Sequence, residues 1–109
     1  MCIIAIKPEG QKVTKAILQN CYENNPDGAG FMYAASGQVE YQKGFMSFLD
    51  FWDTWTKTRD RLALNKRMVV FHFRIATAGV ISPGQCHPFP VTKDIEEMQE
   101  ENGQCQMAV

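Results

Sequence analysis

The chain has 109 residues, 45% hydrophobic and 21% charged, the composition of one ordinary globular domain over residues 1–109, which excludes a disordered or fibrous chain. The 11 basic side chains against 12 acidic ones leave a net charge of −1, so neither nucleic acid nor an anionic membrane is an expected partner. No apolar run approaches the roughly 18 residues of a membrane span, and residues 1–7 lack the charged start and long apolar stretch of a signal peptide; a cytoplasmic protein is the expectation.

Residues 2–7, Cys-Ile-Ile-Ala-Ile-Lys, read as a short strand buried on both faces, closed by the turn Pro8-Glu9-Gly10. From Thr14 to about Glu23 a helix is expected, because Val13, Ile17, Leu18, Cys21 and Tyr22 recur at helical spacing on one face. Asn24-Asn25-Pro26-Asp27-Gly28 ends that helix, since proline and glycine punctuate and Asn and Asp tolerate turn geometry. Residues 30–35 and 39–41 read as two strands joined by Ser36-Gly37, a hairpin. Ser47 with Asp50 resembles a capping box, and Phe48, Phe51, Trp52, Trp55 and Leu62 then form one helical stripe of core-packing period. Residues 67–74 are the strongest strand. Residues 75–90, with three prolines, glycines and small residues, read as a long loop of the kind that carries function. Residues 92–101 are acidic, a helix or a solvated segment, and residues 104–109 look like a strand cut short. Strands and helices without regular βαβ alternation argue for an α+β fold.

The four cysteines, Cys2, Cys21, Cys86 and Cys105, contain no C-x₂-C pair, so free thiols and no metal site are expected. A minor metal-binding reading rests on His72, Cys86, His87 and Cys105. Cys21, on the apolar helix face, reads as a small buried hydrophobe. Cys2 differs from the others, because removal of Met1 makes it the N-terminus.

Three segments stand out together: Met1-Cys2-Ile3-Ile4-Ala5-Ile6, then Asn25-Pro26-Asp27-Gly28-Ala29-Gly30-Phe31, then Phe71-His72-Phe73-Arg74-Ile75-Ala76-Thr77-Ala78-Gly79 followed by Cys86-His87-Pro88-Phe89. In this order the chain resembles the class II glutamine amidotransferases, a branch of the N-terminal nucleophile hydrolases, and is most similar to their small phage and bacterial relatives. The resemblance covers essentially the whole chain and implies the N-terminal portion of an αββα sandwich. It implies glutamine as substrate, with Cys2 as nucleophile and its own α-amine as base. An α-amine with pKa near 7.7–8.0 can take a proton from a thiol near 8.5 without a separate histidine. Arg74 falls where the family binds the substrate carboxylate, a task suited to a planar guanidinium. Asp27 and Gly28 match the turn that shapes the glutamine pocket, and Thr77 and Gly79 lie in the loop that closes over it. His87 is read as structural, not as a base. No cofactor is implied.

The family also carries an Asn-Gly pair just after a further apolar strand, whose side-chain and backbone N–H groups form the oxyanion hole. Here Asn102-Gly103 precedes the last apolar segment, so it is not expected to serve. With the end at Val109, this length is expected to be a truncated form of the domain with little or no glutaminase activity. The alternative is a phage or mobile-element module that inhibits or regulates a host protein, or associates with itself, through exposed apolar surface.

Overall fold

The computed structural model describes residues 2–109. The elements run β1 (Ile3–Lys7), α1 (Lys15–Asn24), β2 (Ala29–Ala35), β3 (Gln38–Phe45), α2 (Phe48–Leu62), β4 (Val69–Phe73), α3 (Ile95–Gln99) and β5 (Asn102–Cys105). This is an α+β fold, with a five-stranded sheet in the order β1-β4-β2-β3-β5 and every neighbouring pair antiparallel.

Local chemistry sets both long helices. The Thr14 hydroxyl accepts from the Ile17 N–H at 3.3 Å to start α1. The Ser47 hydroxyl accepts from the Asp50 N–H at 3.2 Å to start α2, which ends on Ala63 in a left-handed conformation. Both helices lie on one face of the sheet. Leu18 and Tyr22 of α1 and Phe51 and Trp55 of α2 pack against Ala29, Phe31 and Tyr33 of β2 and Val69, Phe71 and Phe73 of β4. The aromatic rings meet edge-on or stacked, as at Trp55–Phe71 (4.8 Å) and Phe31–Phe45 (6.0 Å).

The strand over residues 2–7 is not buried on both faces as its composition suggests. It is an edge strand with alternating exposure, and Ile4 and Ile6 are 64% and 61% exposed on the face away from the helices. Cys21 is likewise only partly covered. β3 is longer than the expected 39–41, because its polar residues are paired on both sides and Lys43 is buried. The last strand also differs. β5 covers Asn102–Cys105, so it starts two residues ahead of the expected 104–109 and shares only Gln104 and Cys105 with it, and residues 107–109 pair instead with residues 89–91.

That last pairing begins a second layer. The Phe89 N–H donates to the Val109 carbonyl at 2.7 Å, the Val109 N–H to the Phe89 carbonyl at 2.9 Å, and the Val91 N–H to the Met107 carbonyl at 2.9 Å. This short ladder lies against the sheet face opposite the helices. Lys43 fastens the segment beneath it: its ammonium donates to the Met98 carbonyl at 2.6 Å and the Gly84 carbonyl at 3.3 Å, and sits 3.8 Å over the Phe89 ring. Burial holds the Lys43 pKa down to about 8. Among the described residues no helix is long and apolar enough to cross a membrane.

Candidate active site

The end of β4 and the turn before β2 are stitched together at one corner of the sheet. The Arg74 N–H donates to the Gly28 carbonyl at 2.8 Å, and the Asp27 N–H to the Arg74 carbonyl at 2.9 Å. Asn25, buried, donates from Nδ2 to the Phe73 carbonyl at 3.2 Å. One Asp27 carboxylate oxygen accepts from the Ala76 N–H at 2.8 Å. The turn read from Asn-Pro-Asp-Gly thus fixes where the loop after β4 departs.

The register places the nucleophile candidate at the same corner. Ile3 pairs with Phe73 and Ile4 with His72, so one further step brings Cys2 opposite Arg74. Side chains alternate, and Phe73 faces the helices. Cys2, Ile4, His72 and Arg74 therefore share the other face. Cys2 is exposed, and its thiol reaches the Ile75 carbonyl at 3.9 Å. The question of Met1, on which a free Cys2 α-amine depends, falls outside the described residues.

Arg74 is 7% exposed. Its Nη2 makes one long contact to the Ala78 carbonyl, 3.5 Å, and its buried Nη1 has no partner. Among the described residues the two ion pairs, Lys57–Asp53 and Arg59–Asp60, both lie elsewhere on α2. A guanidinium withdrawn from water without a carboxylate carries a desolvation penalty that a bound anion would offset. Gly79 lies beside it: a β-carbon there would be 3.9 Å from Arg74 Nη2. Thr77 is exposed on the same loop and, among the described residues, makes no side-chain hydrogen bond.

Two glycines let the second layer approach. Gly28 has φ +122°, and a β-carbon there would fall 2.2 Å from the Cys86 sulfur. A β-carbon on Gly30 would fall 2.0 Å from the His87 carbonyl oxygen. Cys86, buried between these elements, has its thiol pKa pushed up by burial, with the nearby Arg74 and Lys43 charges opposing that rise. Asn25 and Gly30 are not site candidates in the sequence reading, and Cys86 enters it only as a candidate metal ligand. The one signal for them was position, since each lies inside a segment that carries the resemblance.

Between the sheet and the second layer lies a cavity of about 390 Å³, lined by Cys2, Ile4, Met32, Val70, His72, His87, Pro88 and Val109. That is the size of small-molecule sites, roughly 300–1,000 Å³. The His72 and His87 rings meet at 4.4 Å, and His87 Nδ1 donates to the Val109 carbonyl at 3.1 Å. Burial, then His87, then Arg74 hold the His72 pKa down to about 4, so its imidazole is neutral near pH 7. Cys105 stands apart on β5, its thiol on the Val39 carbonyl at 3.8 Å. Among the described residues no group of three His, Cys, Asp or Glu side chains is arranged to hold a metal. Asn102-Gly103 opens β5 at the edge opposite β1, four strand spacings or about 19 Å away at ~4.8 Å per strand.

The corner therefore gathers a thiol, a buried guanidinium with one unpartnered nitrogen and, beside the thiol, a largely apolar cavity, with the Asp27–Gly28 turn as their frame. Comparison with known protein families, with curated proteins and with solved structures finds no match to this chain.

Proposed function

We propose that this chain is a glutamine amidotransferase-like domain of the N-terminal nucleophile type, with Cys2 as nucleophile and Arg74 as the anchor of the substrate α-carboxylate. The observation that carries this reading is Arg74, a residue only 7% exposed, with its Nη1 unpartnered and Cys2 across the strand pair. The short ladder of residues 89–91 and 107–109 supports the finer fold reading as well, because it starts a second sheet against the open face of the first.

In this reading Met1 is removed and the Cys2 α-amine takes the thiol proton. The thiolate attacks the side-chain carbonyl of glutamine, ammonia leaves with a proton, and a γ-glutamyl thioester remains. Water then releases glutamate and restores the thiol. A bidentate guanidinium–carboxylate pair orients the substrate. Asn102-Gly103 stands too far from Cys2 to stabilise the oxyanion. Loss of a single such donor costs about 10²–10³ in rate, so turnover by these residues is expected to be slow.

Covalent capture tests the nucleophile without requiring turnover. A diazoketone analogue of glutamine is expected to label Cys2 ahead of Cys21, Cys86 and Cys105, as read by peptide mass. Excess L-glutamine should slow the labelling, and Cys2→Ser should abolish it. Labelling that ignores glutamine, or a retained Met1 in the mass of the intact protein, would reject the reading.

A second reading is favoured by one observation, the exposure of Ile4 and Ile6 on the edge strand β1, on the sheet face away from the helices. It is a module that binds a host protein or a second copy of itself. Sedimentation of the purified chain would then show a concentration-dependent dimer that Ile6→Lys abolishes. A monomer at all concentrations removes the self-association form of this reading.

A further inference from the structure

Glutamine leaves most of the space beside Cys2 unaccounted for. Attack on its side chain expels ammonia, a molecule no larger than water. The cavity that Cys2 lines measures about 390 Å³. None of its lining residues has an acidic, lysine or arginine side chain, and Ile4, Met32, Val70 and Pro88 give it apolar walls. An apolar cavity of about 150 Å³ already holds a benzene ring and excludes water. The register gives this space a direction. Its wall takes in His72 and Val70 of β4, with Ile4 paired to His72 and Met32 to Val70, whereas Arg74 at the strand end is not part of it. The cavity therefore runs from Cys2 along the sheet, away from the Arg74 end. Cys2 and Ile4 are exposed, so it opens to solvent on the side of the edge strand β1.

We propose that the substrate amide nitrogen carries an apolar substituent, so that the site cleaves γ-glutamyl N-alkyl or N-aryl amides with that group seated in the cavity; this rests on the glutaminase reading above. A γ-glutamyl chain held by its α-carboxylate at Arg74 brings its far end, the amide, to Cys2 and the mouth of the cavity. The Cys2 thiolate attacks the amide carbonyl. The carbon–nitrogen bond breaks, and a primary amine leaves with the proton that the α-ammonium gives up. Water then cleaves the thioester, its proton passing through the α-amine to the departing thiolate. Amide and water become glutamate and amine, and thiol and α-amine are restored. Each methylene taken out of water by the cavity wall is worth threefold to fourfold in affinity, roughly, until the space is full.

Protection of Cys2 from the glutamine-shaped diazoketone reads binding without requiring turnover. The competitors are L-glutamine and the γ-glutamyl methyl-, ethyl-, propyl- and butylamides. Half-protecting concentrations are expected to fall with each added carbon, to roughly 10²-fold below that of glutamine at butyl. Peptide mass is expected to show the γ-glutamyl adduct on Cys2 after incubation with the butylamide, with free butylamine in solution. Val70→Phe narrows the cavity and is expected to flatten the series. Val70→Ala widens it and is expected to carry the rise to longer chains; should Val70→Phe fail to fold, the chain length at which the rise stops in Val70→Ala decides. Protection that stays level or weakens with chain length overturns the assignment, as does a rise unaltered in the folded Val70 variants. A butylamide that protects Cys2 but yields neither adduct nor butylamine overturns its role as substrate. Labelling of Cys2 that L-glutamine does not slow defeats the glutaminase reading itself, an outcome distinct from the others.

Discussion

Trp55→Ala is expected to lower the free energy of unfolding by about 3–5 kcal/mol, the usual result of emptying a buried aromatic site. At roughly 4–8 °C per kcal/mol for a domain near this size, the melting temperature should fall by at least about 12 °C. Trp55 is fully buried on α2, and its ring meets those of Phe31 at 5.6 Å and Phe71 at 4.8 Å, so its loss opens a void under both central strands. Trp55→Phe should behave differently. The indole Nε1 is buried without a partner, so no hydrogen bond is lost with it, and removing the N–H relieves an unmet desolvation penalty of about 1–3 kcal/mol. That gain works against the lost contact area, and the net cost is expected to stay below about 1.5 kcal/mol. Thermal melts of the two variants decide the matter. Equal losses would mean that the indole N–H, and not the ring, matters at this position.

The same residue shows what can be read from sequence. The stripe Phe48, Phe51, Trp52, Trp55 is a local signal, and so are the caps Thr14 and Ser47; each acts within one or two helical turns. Both helices are therefore visible without tertiary information. β4 is visible because Val69, Val70, Phe71 and Phe73 make a short dense run of β-branched and aromatic residues. The β1 residues are as apolar as those of β4, yet Ile4 and Ile6 emerge half open. Composition cannot distinguish a central strand from an edge strand, since that depends on what the distant residues 86–109 cover. β3 misleads in the opposite direction. Lys43 looks like a surface charge, and it is buried because the Met98 and Gly84 carbonyls, 55 and 41 residues away, receive its ammonium.

The site divides along the same line. Cys2, Asp27, Gly28 and Arg74 were nameable because the order of their motifs carries a resemblance, and the structure places these four at one corner. Thr77 belongs to the same loop but stays exposed. Gly30 and His72 needed coordinates. The meaning of Gly30 lies in a carbonyl 57 residues further on, that of His87, and the burial of His72 comes from its place on an interior strand. Neither leaves a trace in local composition.

Arg74→Met is expected to separate folding from ligand capture. Methionine keeps most of the unbranched stem that packs at the end of β4 and discards a buried charge that no carboxylate balances. The backbone links of residue 74 to Gly28 and Asp27 do not depend on its side chain. Stability should therefore be unchanged or rise by about 1 kcal/mol. Capture should move the other way. Removing one partner of a desolvated charge pair costs about 2–5 kcal/mol, so labelling of Cys2 by the glutamine-shaped diazoketone should slow by roughly 30-fold or more at subsaturating reagent. A small neutral alkylating agent should still modify Cys2 at the wild-type rate, because Arg74 does not act on the thiol in this scheme. Arg74→Lys should fall between, keeping the charge but losing the planar fork. A variant that loses stability and capture together would make Arg74 a structural cation. Gain of one with loss of the other is what a residue retained for its ligand predicts, since folding alone gives no reason to bury that charge.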